Sequence, residues 1–377
     1  MFSEIDHDHM SRALALAERG LFSTTPNPRV GCVIVKDHEV VGEGWHRRAG
    51  APHAEVLALA EAGGRARGAT AYVTLEPCSH IGRTPPCADA LIESGVARVV
   101  AAMEDPNPLV AGAGLERLRA AGVDVRCGLL RPAAEELNIG FVSRMRRGRP
   151  WVRMKIAASL DAMTALPDGS SQWITGEAAR ADGHQWRARA CAVLTGIGTV
   201  RDDDPRLNVR AVATDRQPLK VLVDSRLEVT PQARLFEGRA PLVFAAADDP
   251  ARRAELEAAG AEVLMLANAA GKVDLMGLLK VLGERGVNEL HVEAGSKLNG
   301  SLVREGCVDE LLIYQSPCLL GDAQRMIALP AVASLAQRHD LCFEEAVMIG
   351  RDLRLRVRFG GDARAPRGGP HATIVGD

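Results

Sequence analysis

Hydrophobic residues recur at helical spacing near the start of the chain. Met10, Ala13, Leu14 and Ala17 fall on one face and Gly20 offers a stop, predicting a helix over 6–19. A turn at Thr25-Pro26-Asn27-Pro28 leads into an apolar run at 30–35 and another near 40–45, both read as strands. The pattern then alternates: helix 54–62 closed by Gly63-Gly64, strand 70–75, helix 87–94 introduced by Pro85-Pro86, strand 96–103, helix 114–121 and strand 123–127. Strands and helices taking turns in this way predict an α/β layered domain.

The basic stretch Arg144-Met145-Arg146-Arg147-Gly148-Arg149-Pro150 breaks the alternation and reads as a solvated connector rather than a phosphate contact. A second α/β pattern follows, with strands at 151–158, 191–195, 219–223, 241–246, 262–266, 288–293 and 309–315. Its helices are expected at 176–189, 250–259, 274–285 and 297–305. Leu353, Leu355, Val357 and Phe359 alternate with arginines, the period of a half-buried strand. Two domains are expected, at 1–147 and 148–360, with the Gly/Pro-rich, polar segment 361–377 as a disordered tail.

Composition sharpens this picture. A chain of 377 residues exceeds one ordinary core, and 47% hydrophobic with 25% charged residues is the balance of a soluble globular protein. With four Trp, two Tyr and seven Phe, the cores must be aliphatic. No apolar run reaches membrane-spanning length, and Met1-Phe2-Ser3-Glu4-Ile5-Asp6 lacks the basic and apolar regions of a signal peptide, so a cytoplasmic location is expected. The net charge of −2 divides into 17 basic and 18 acidic groups over 1–147, then 29 and 30. Neither half has the basic excess that nucleic-acid binding favours, so a small-molecule substrate is expected, with no nucleic acid or membrane partner. The eight cysteines form no disulfide-like framework, and clustered ones are better read as metal ligands. Cys32, Cys127, Cys191, Cys307, Cys318 and Cys342 are read as small buried residues.

The clustered candidates are His53, Cys78 and Cys87. Three such ligands hold a zinc ion and leave its fourth position open, the count of a catalytic site. Glu55, two residues past the histidine, is placed to carry protons for a metal-activated water without occupying the metal. Cys87 follows two prolines at a helix start, where free N–H groups lower a thiol's pKa. His80 is a competing ligand in the loop between the cysteines. The bland reading is a satisfied loop histidine and two core cysteines. The order His53-Ala54-Glu55, Pro77-Cys78, Pro86-Cys87 instead follows the signature of the zinc-dependent nucleobase deaminases.

One departure from that signature is informative. The cysteines are separated by eight residues, Ser-His-Ile-Gly-Arg-Thr-Pro-Pro, where the general pattern has two. This loop resembles that of the bifunctional deaminase–reductases of riboflavin biosynthesis. So do the blocks Thr25 to Cys32, Gly42-Glu43-Gly44-Trp45-His46 and Glu76-Pro77-Cys78-Ser79-His80. The resemblance implies a cytidine-deaminase-like three-layer domain, one zinc ion per chain, and substrate contact by Asn27, otherwise a turn former between prolines.

No dinucleotide fingerprint of the Gly-x-Gly-x-x-Gly kind joins a strand to a helix in the second half. The turns Thr195-Gly196-Ile197-Gly198-Thr199 and Glu293-Ala294-Gly295-Ser296 could cradle a phosphate on backbone N–H groups, and are equally ordinary chain reversals. Here the blocks Lys155 to Asp161, Ser171 to Thr175, Asp203-Asp204-Pro205, Leu207 to Arg210, Val223-Asp224-Ser225 and Glu293-Ala294-Gly295 resemble the reductase domain of the same family. That implies a dihydrofolate-reductase-like α/β fold using NADPH. Ala157, Trp173, Thr199, Asp203, Ser225 and the turn Gly295, Ser296, Lys297, Leu298, Asn299, Gly300 and Ser301 would face the cofactor. Lys155, Asp161, Ser171, Arg187, Leu207, Arg210 and Glu293 would face the substrate. Guanidinium groups such as Arg187 and Arg210 suit a sugar phosphate, against plain helix surface charge for Arg187. One block departs from the family: Ala162 and Met163 stand where it usually has Gly and a basic residue, which puts the local turn in doubt.

The expectation is thus a homo-oligomeric, bifunctional enzyme. Its first domain would remove the 2-amino group of a diaminopyrimidinone ribosyl phosphate, and its second would reduce the ribose to a ribityl chain with NADPH. An RNA-editing deaminase and a non-enzymatic metal protein are the rival classes.

Overall fold

The computed structural model describes residues 2–79, 85–108 and 110–360, so the expected tail 361–377 and the competing ligand His80 lie outside the described residues. The chain divides into two compact units: residues 1–150 with 283–288, and residues 151–282 with the chain from 289 onward.

In the first unit, Ser3 starts α1 (Glu4–Glu18) with a reciprocal cap, its hydroxyl accepting the Asp6 N–H while the Asp6 carboxylate accepts the Ser3 N–H. Then come β1 (Gly31–Lys36), β2 (Glu39–Trp45), α2 (Ala54–Ala62), β3 (Thr70–Val73), α3 (Cys87–Glu93), β4 (Arg98–Ala101), α4 (Ala113–Ala120) and β5 (Asp124–Cys127). Two further helices, α5 (Arg131–Leu137) and α6 (Ile139–Arg147), follow. The sheet runs β2-β1-β3-β4-β5, with β1 antiparallel to both neighbours and β3, β4 and β5 parallel. One face buries Ala54, Ala58, Leu91, Leu115 and Leu118 from α2, α3 and α4. The other buries Met10, Ala13, Ala17, Leu137 and Phe141 from α1, α5 and α6. This is the expected three-layer α/β/α sandwich.

The arginine run read as a connector is instead the last turn of α6, ended by Gly148 in the left-handed region at φ 67°. Phe141 is buried and Met145 packs beside it, so an apolar stripe anchors a helix whose arginines leave on the other side, Arg146 reaching Glu135 at 3.1 Å. Close packing also fixes where α2 begins. A Cβ on Gly44 would stand 2.2 Å from the Ala54 carbonyl oxygen, so only glycine lets α2, with Glu55 in its first turn, lie against β2.

The second unit contains β6 (Trp151–Ser159), β7 (Met163–Ala165), α7 (Glu177–Arg189), β8 (Ala192–Gly196), α8 (Ile197–Asp203), β9 (Leu219–Val223) and β10 (Leu242–Ala245). It continues through α9 (Pro250–Ala258), β11 (Glu262–Met265), α10 (Leu275–Glu284), β12 (Glu289–Val292), α11 (Ser296–Arg304), β13 (Glu310–Ser316), β14 (Gln324–Arg325), β15 (Leu341–Ile349) and β16 (Asp352–Phe359). Nine strands form one sheet in the order β11-β10-β9-β8-β12-β6-β13-β16-β15. It is parallel as far as β13 and antiparallel over the last two pairs. The unit therefore carries the expected α/β fold, on a mixed sheet.

Several details differ from the sequence reading. Helix α8, the short strands β7 and β14 and the edge strand β15 were not anticipated, the first three because they span seven residues or fewer and the last because its residues are largely exposed. The arginines of β16 do not face water: Arg356 and Arg358 reach the buried Glu310 at 3.0 and 3.1 Å. Cys342, expected to be buried, is exposed on β15, and Cys127 and Cys318 are half-buried. Ala162 sits at φ 65°, so the turn keeps the left-handed conformation without the glycine that suits it, at a cost of about 1 kcal/mol.

Asp6 ties the first unit together. Burial alone would raise its pKa, but the Arg98 guanidinium at 2.8 Å, the Ser3 N–H and the Tyr72 hydroxyl hold it well below the usual carboxylate range. A depressed carboxylate stabilises the fold above its unfolded pKa and loses that contribution as pH falls towards its folded value. Asp6→Asn should lower stability by about 2–3 kcal/mol at neutral pH. Urea unfolding should show the gap from wild type narrowing between pH 5 and pH 2, with the exact interval set by the ordinary carboxylate pKa of roughly 4.

Candidate active sites

Three separate segments bring the predicted ligands together. His53 precedes α2 in extended backbone and Cys87 opens α3, while Cys78 follows β3 on the loop that approaches the α3 start. His53 Nδ1 lies 3.2 Å from Cys87 Sγ and 3.7 Å from Cys78 Sγ, and all three donor atoms fall within 4.8 Å of one another. A tetrahedral zinc shell with bonds of about 2.0–2.3 Å sets its ligand atoms roughly 3.5–3.8 Å apart, so this donor set fits the ion. Among the described residues it is the one cluster of this kind.

The thiols divide their roles differently from expectation. The Cys87 backbone N–H points at Cys78 Sγ at 3.3 Å, so the α3 start stabilises a thiolate on Cys78. The neighbouring Cys87 thiol and His53 lower Cys78 further, while Cys87, beside that sulfur and deeply buried, is pushed up. A bound dication removes both protons, since a coordinating thiol is deprotonated outright.

Glu55 is buried in the first turn of α2, and burial pushes its carboxyl up to about 7. Asn27 belongs to the same neighbourhood: its amide nitrogen is 3.1 Å from Nε2 of His46, whose ring meets the His53 ring edge-on at 5.4 Å. The other ring nitrogen of His46 is 3.2 Å from the Pro52 carbonyl oxygen, which accepts its proton. Nε2 is then an acceptor for the Asn27 N–H, an assignment that turns Asn27 Oδ1 the other way. Glu76 was also without a role in the sequence. Its buried carboxylate accepts the N–H groups of Asp105, Gly112 and Gly114 at 3.0, 2.9 and 2.7 Å, and so holds the segment after β4 against Pro77. The blocks containing His46 and Glu76 were visible; the pairing of His46 with Asn27, 19 residues away, and of Glu76 with N–H groups 29 to 38 residues away was not.

The second unit holds a cavity of about 1300 Å³ at the C-terminal ends of β6, β8, β9 and β12. This exceeds the roughly 300–1,000 Å³ of a single-ligand pocket and leaves room for two ligands. Of the positions expected to face cofactor, Ala157, Trp173, Thr199, Asp203 and Ser225 line it, as do Gly295, Ser296, Lys297, Leu298, Asn299 and Ser301. Of those expected to face substrate, Lys155, Ser171, Arg187, Leu207, Arg210 and Glu293 line it.

Two expected positions do not reach the cavity. Asp161 spends its carboxylate on the Leu320 and Gly321 N–H groups at 3.1 and 2.8 Å and on the Ser159 hydroxyl. Gly300 packs under the chain at Ala328, where a Cβ would stand 2.1 Å from the carbonyl oxygen. Arg187 lies in the cavity wall but is engaged: it grips Glu293 with two bonds of 2.7 and 2.8 Å and gives a third to the Asn208 carbonyl. Burial would raise Glu293, yet Arg187 holds it well below the carboxylate range. Arg210 is exposed and makes one long bond to Asn208, so it is the guanidinium left open to an anion. Burial pushes the Lys155 ammonium below its ordinary value.

Fold and sites together define a two-part enzyme, a zinc-type deaminase joined to a pyrimidine reductase. Residues 3–103 match the "cytidine and deoxycytidylate deaminase zinc-binding region" and residues 150–354 the "RibD C-terminal domain". The chain is 49% identical over 365 residues to the riboflavin biosynthesis protein RibD of Escherichia coli, covering 93% of this chain and 99% of that one. Among solved structures, Acinetobacter baumannii RibD superposes with a TM-score of 0.87 at 42% identity, covering 95% of this chain and 99% of that one. The diaminohydroxyphosphoribosylaminopyrimidine deaminase/5-amino-6-(5-phosphoribosylamino)uracil reductase of Thermotoga maritima superposes at 0.84 with 32% identity, covering 94% and 99%. The chain belongs to the RibD family of bifunctional riboflavin-biosynthesis enzymes.

The donor set makes a prediction about metal content. Purified protein should carry about one zinc per chain, and Cys87→Ser or His53→Ala should bring elemental analysis close to zero while leaving the second unit folded.

Proposed function

We propose that the chain performs two consecutive steps on one pyrimidine. Residues 1–147 remove the 2-amino group of a diaminopyrimidinone ribosyl phosphate by hydrolysis, and residues 148–360 reduce the ribosyl side chain of the product with NADPH. The observation that carries this reading is the His53–Cys78–Cys87 cluster with the buried Glu55, in one chain with a cavity sized for two ligands.

A zinc ion held by His53, Cys78 and Cys87 supplies water activation near neutral pH. The rest falls to side chains. Glu55, its carboxyl raised by burial, takes a proton from water as the oxygen bonds to C2 and delivers it to the ring nitrogen; it then moves the proton of the new C–OH group to the amine, which leaves as ammonia as the carbonyl forms. Asn27, its amide oriented by His46, offers Oδ1 to a substrate donor.

In the second unit the first N–H groups of α11, behind Gly295 and with no side-chain cap, suit the cofactor's pyrophosphate. Arg210 suits the substrate phosphate better than Arg187, which is paired with Glu293. Lys155, an ammonium weakened by burial, is placed to give the proton that ring opening of the ribose requires. Thiol ligands that must stay reduced support a cytoplasmic location.

The reading includes a homo-oligomer. Edge strand β15 leaves Phe343 72% and Met348 61% exposed, an apolar edge of the kind that a second copy covers. Phe343→Glu should shift the species seen by light scattering to a smaller one; an unchanged mass would remove β15 from the interface.

Glu55→Gln should keep its zinc and lose deamination by about 10²–10⁴-fold, while NADPH oxidation on the already deaminated substrate continues unchanged. Normal deamination by that variant would defeat the mechanism, and failure to bind NADPH would defeat the reductase assignment.

A further inference from the structure

On β12 the polar residues alternate. Glu289 and His291, and Glu293 just past the strand, share the face that α7 covers, and the first two are 1% exposed. Glu289 is matched by Arg153 and Arg189 at 3.0 and 2.7 Å, and Glu293 by Arg187. His291 lies between them with neither ring nitrogen hydrogen-bonded. A buried imidazole left so costs on the order of 1–3 kcal/mol per unmet group, so its presence calls for a reason.

A neighbouring carboxylate supplies one. His291 Nε2 stands 3.5 Å from Glu293 Oε1, a few tenths of an ångström beyond a hydrogen bond. The charged groups around the ring are Glu289 on its own strand and Glu293 just past it, Arg153 and Lys155 on β6, and Arg187 and Arg189 on α7. Burial and these cations keep the imidazole neutral, with one proton to place. Facing a carboxylate, that proton belongs on Nε2.

We propose that His291 is a positioning residue for the reduction: its Nε2–H holds Glu293 Oε1, leaving Oε2 as the oxygen that exchanges an Arg187 N–H for a substrate hydroxyl. This rests on the reading of Glu293 as substrate-facing. It also gives Arg187 a second use, since a glutamate retained by His291 remains ordered when the guanidinium moves towards an incoming ligand.

The test uses the full-length enzyme, the deaminated substrate and three variants. His291→Leu removes the donor and His291→Gln restores an N–H near the same place. The leucine variant should lose about 10–100-fold in reductase kcat/KM, the range of a hydrogen bond to a charged group, while its NADPH Kd stays within twofold and deamination is unchanged. The glutamine variant should recover most of the loss. Wild-type reduction by His291→Leu overturns the proposal. So does a glutamine variant as poor as the leucine one, or NADPH binding lost in step with activity, because each marks a packing role only. Glu293→Gln separates the two layers: full activity there removes the substrate-facing reading itself, whereas a defect there beside a normal His291→Leu removes only the role given to His291.

Discussion

A carboxylate taken out of water must either hold its proton or be paired, and this chain uses both answers. Glu55 is buried with no cationic side chain paired to it among the described residues, and burial pushes its carboxyl up. Glu293 is also desolvated, but the bidentate grip of Arg187 drives it the opposite way and fixes it as an anion. The same residue type is thus pushed towards its protonated form in one unit and held as a fixed charge in the other. The neighbours decide which.

The second unit extends the pairing rule across a whole layer. Under α7, Glu310 takes Arg153 at 2.6 Å together with Arg356 and Arg358, and the Trp186 ring is faced by Arg153 at 4.5 Å and Arg356 at 5.3 Å. Removing one member of such a group leaves an uncompensated buried charge, a loss of about 3–5 kcal/mol, whereas an apolar replacement of the whole set could be as stable. What the charges contribute is order: they set the strand face from which Lys155 and Glu293 reach the cavity.

The deaminase site depends on shape more than on charge. Gly44 lets α2 touch β2, and a Cβ on Gly114 would stand 1.9 Å from the Pro77 carbonyl oxygen. These two close approaches, with Glu76 binding three backbone N–H groups, fix the start of α2 and the Pro77-Cys78 segment, and the Cys87 N–H on Cys78 Sγ joins the α3 start to them. Each ligand is local in sequence, and the site exists because the backbones come near enough.

The sequence by itself determined what depends on neighbours along the chain. Periodicity marked most strands and helices, and residue type at fixed spacing marked His53, Glu55, Cys78 and Cys87 as a metal centre. Nearly all the positions that the family-like blocks marked in the second unit line its cavity. Tertiary structure decided the rest. It made a helix of the arginine run ending at Arg147 because Phe141 found a core, and it turned Asp161 and Gly300 away from the cavity because nearby backbone claimed them. It moved the easier thiolate to Cys78, paired Arg187 with Glu293, and set His46 beside Asn27, 19 residues away in the chain. A charge or hydrogen bond acts through distance in space and through the water excluded around it, and neither quantity is written in the order of residues.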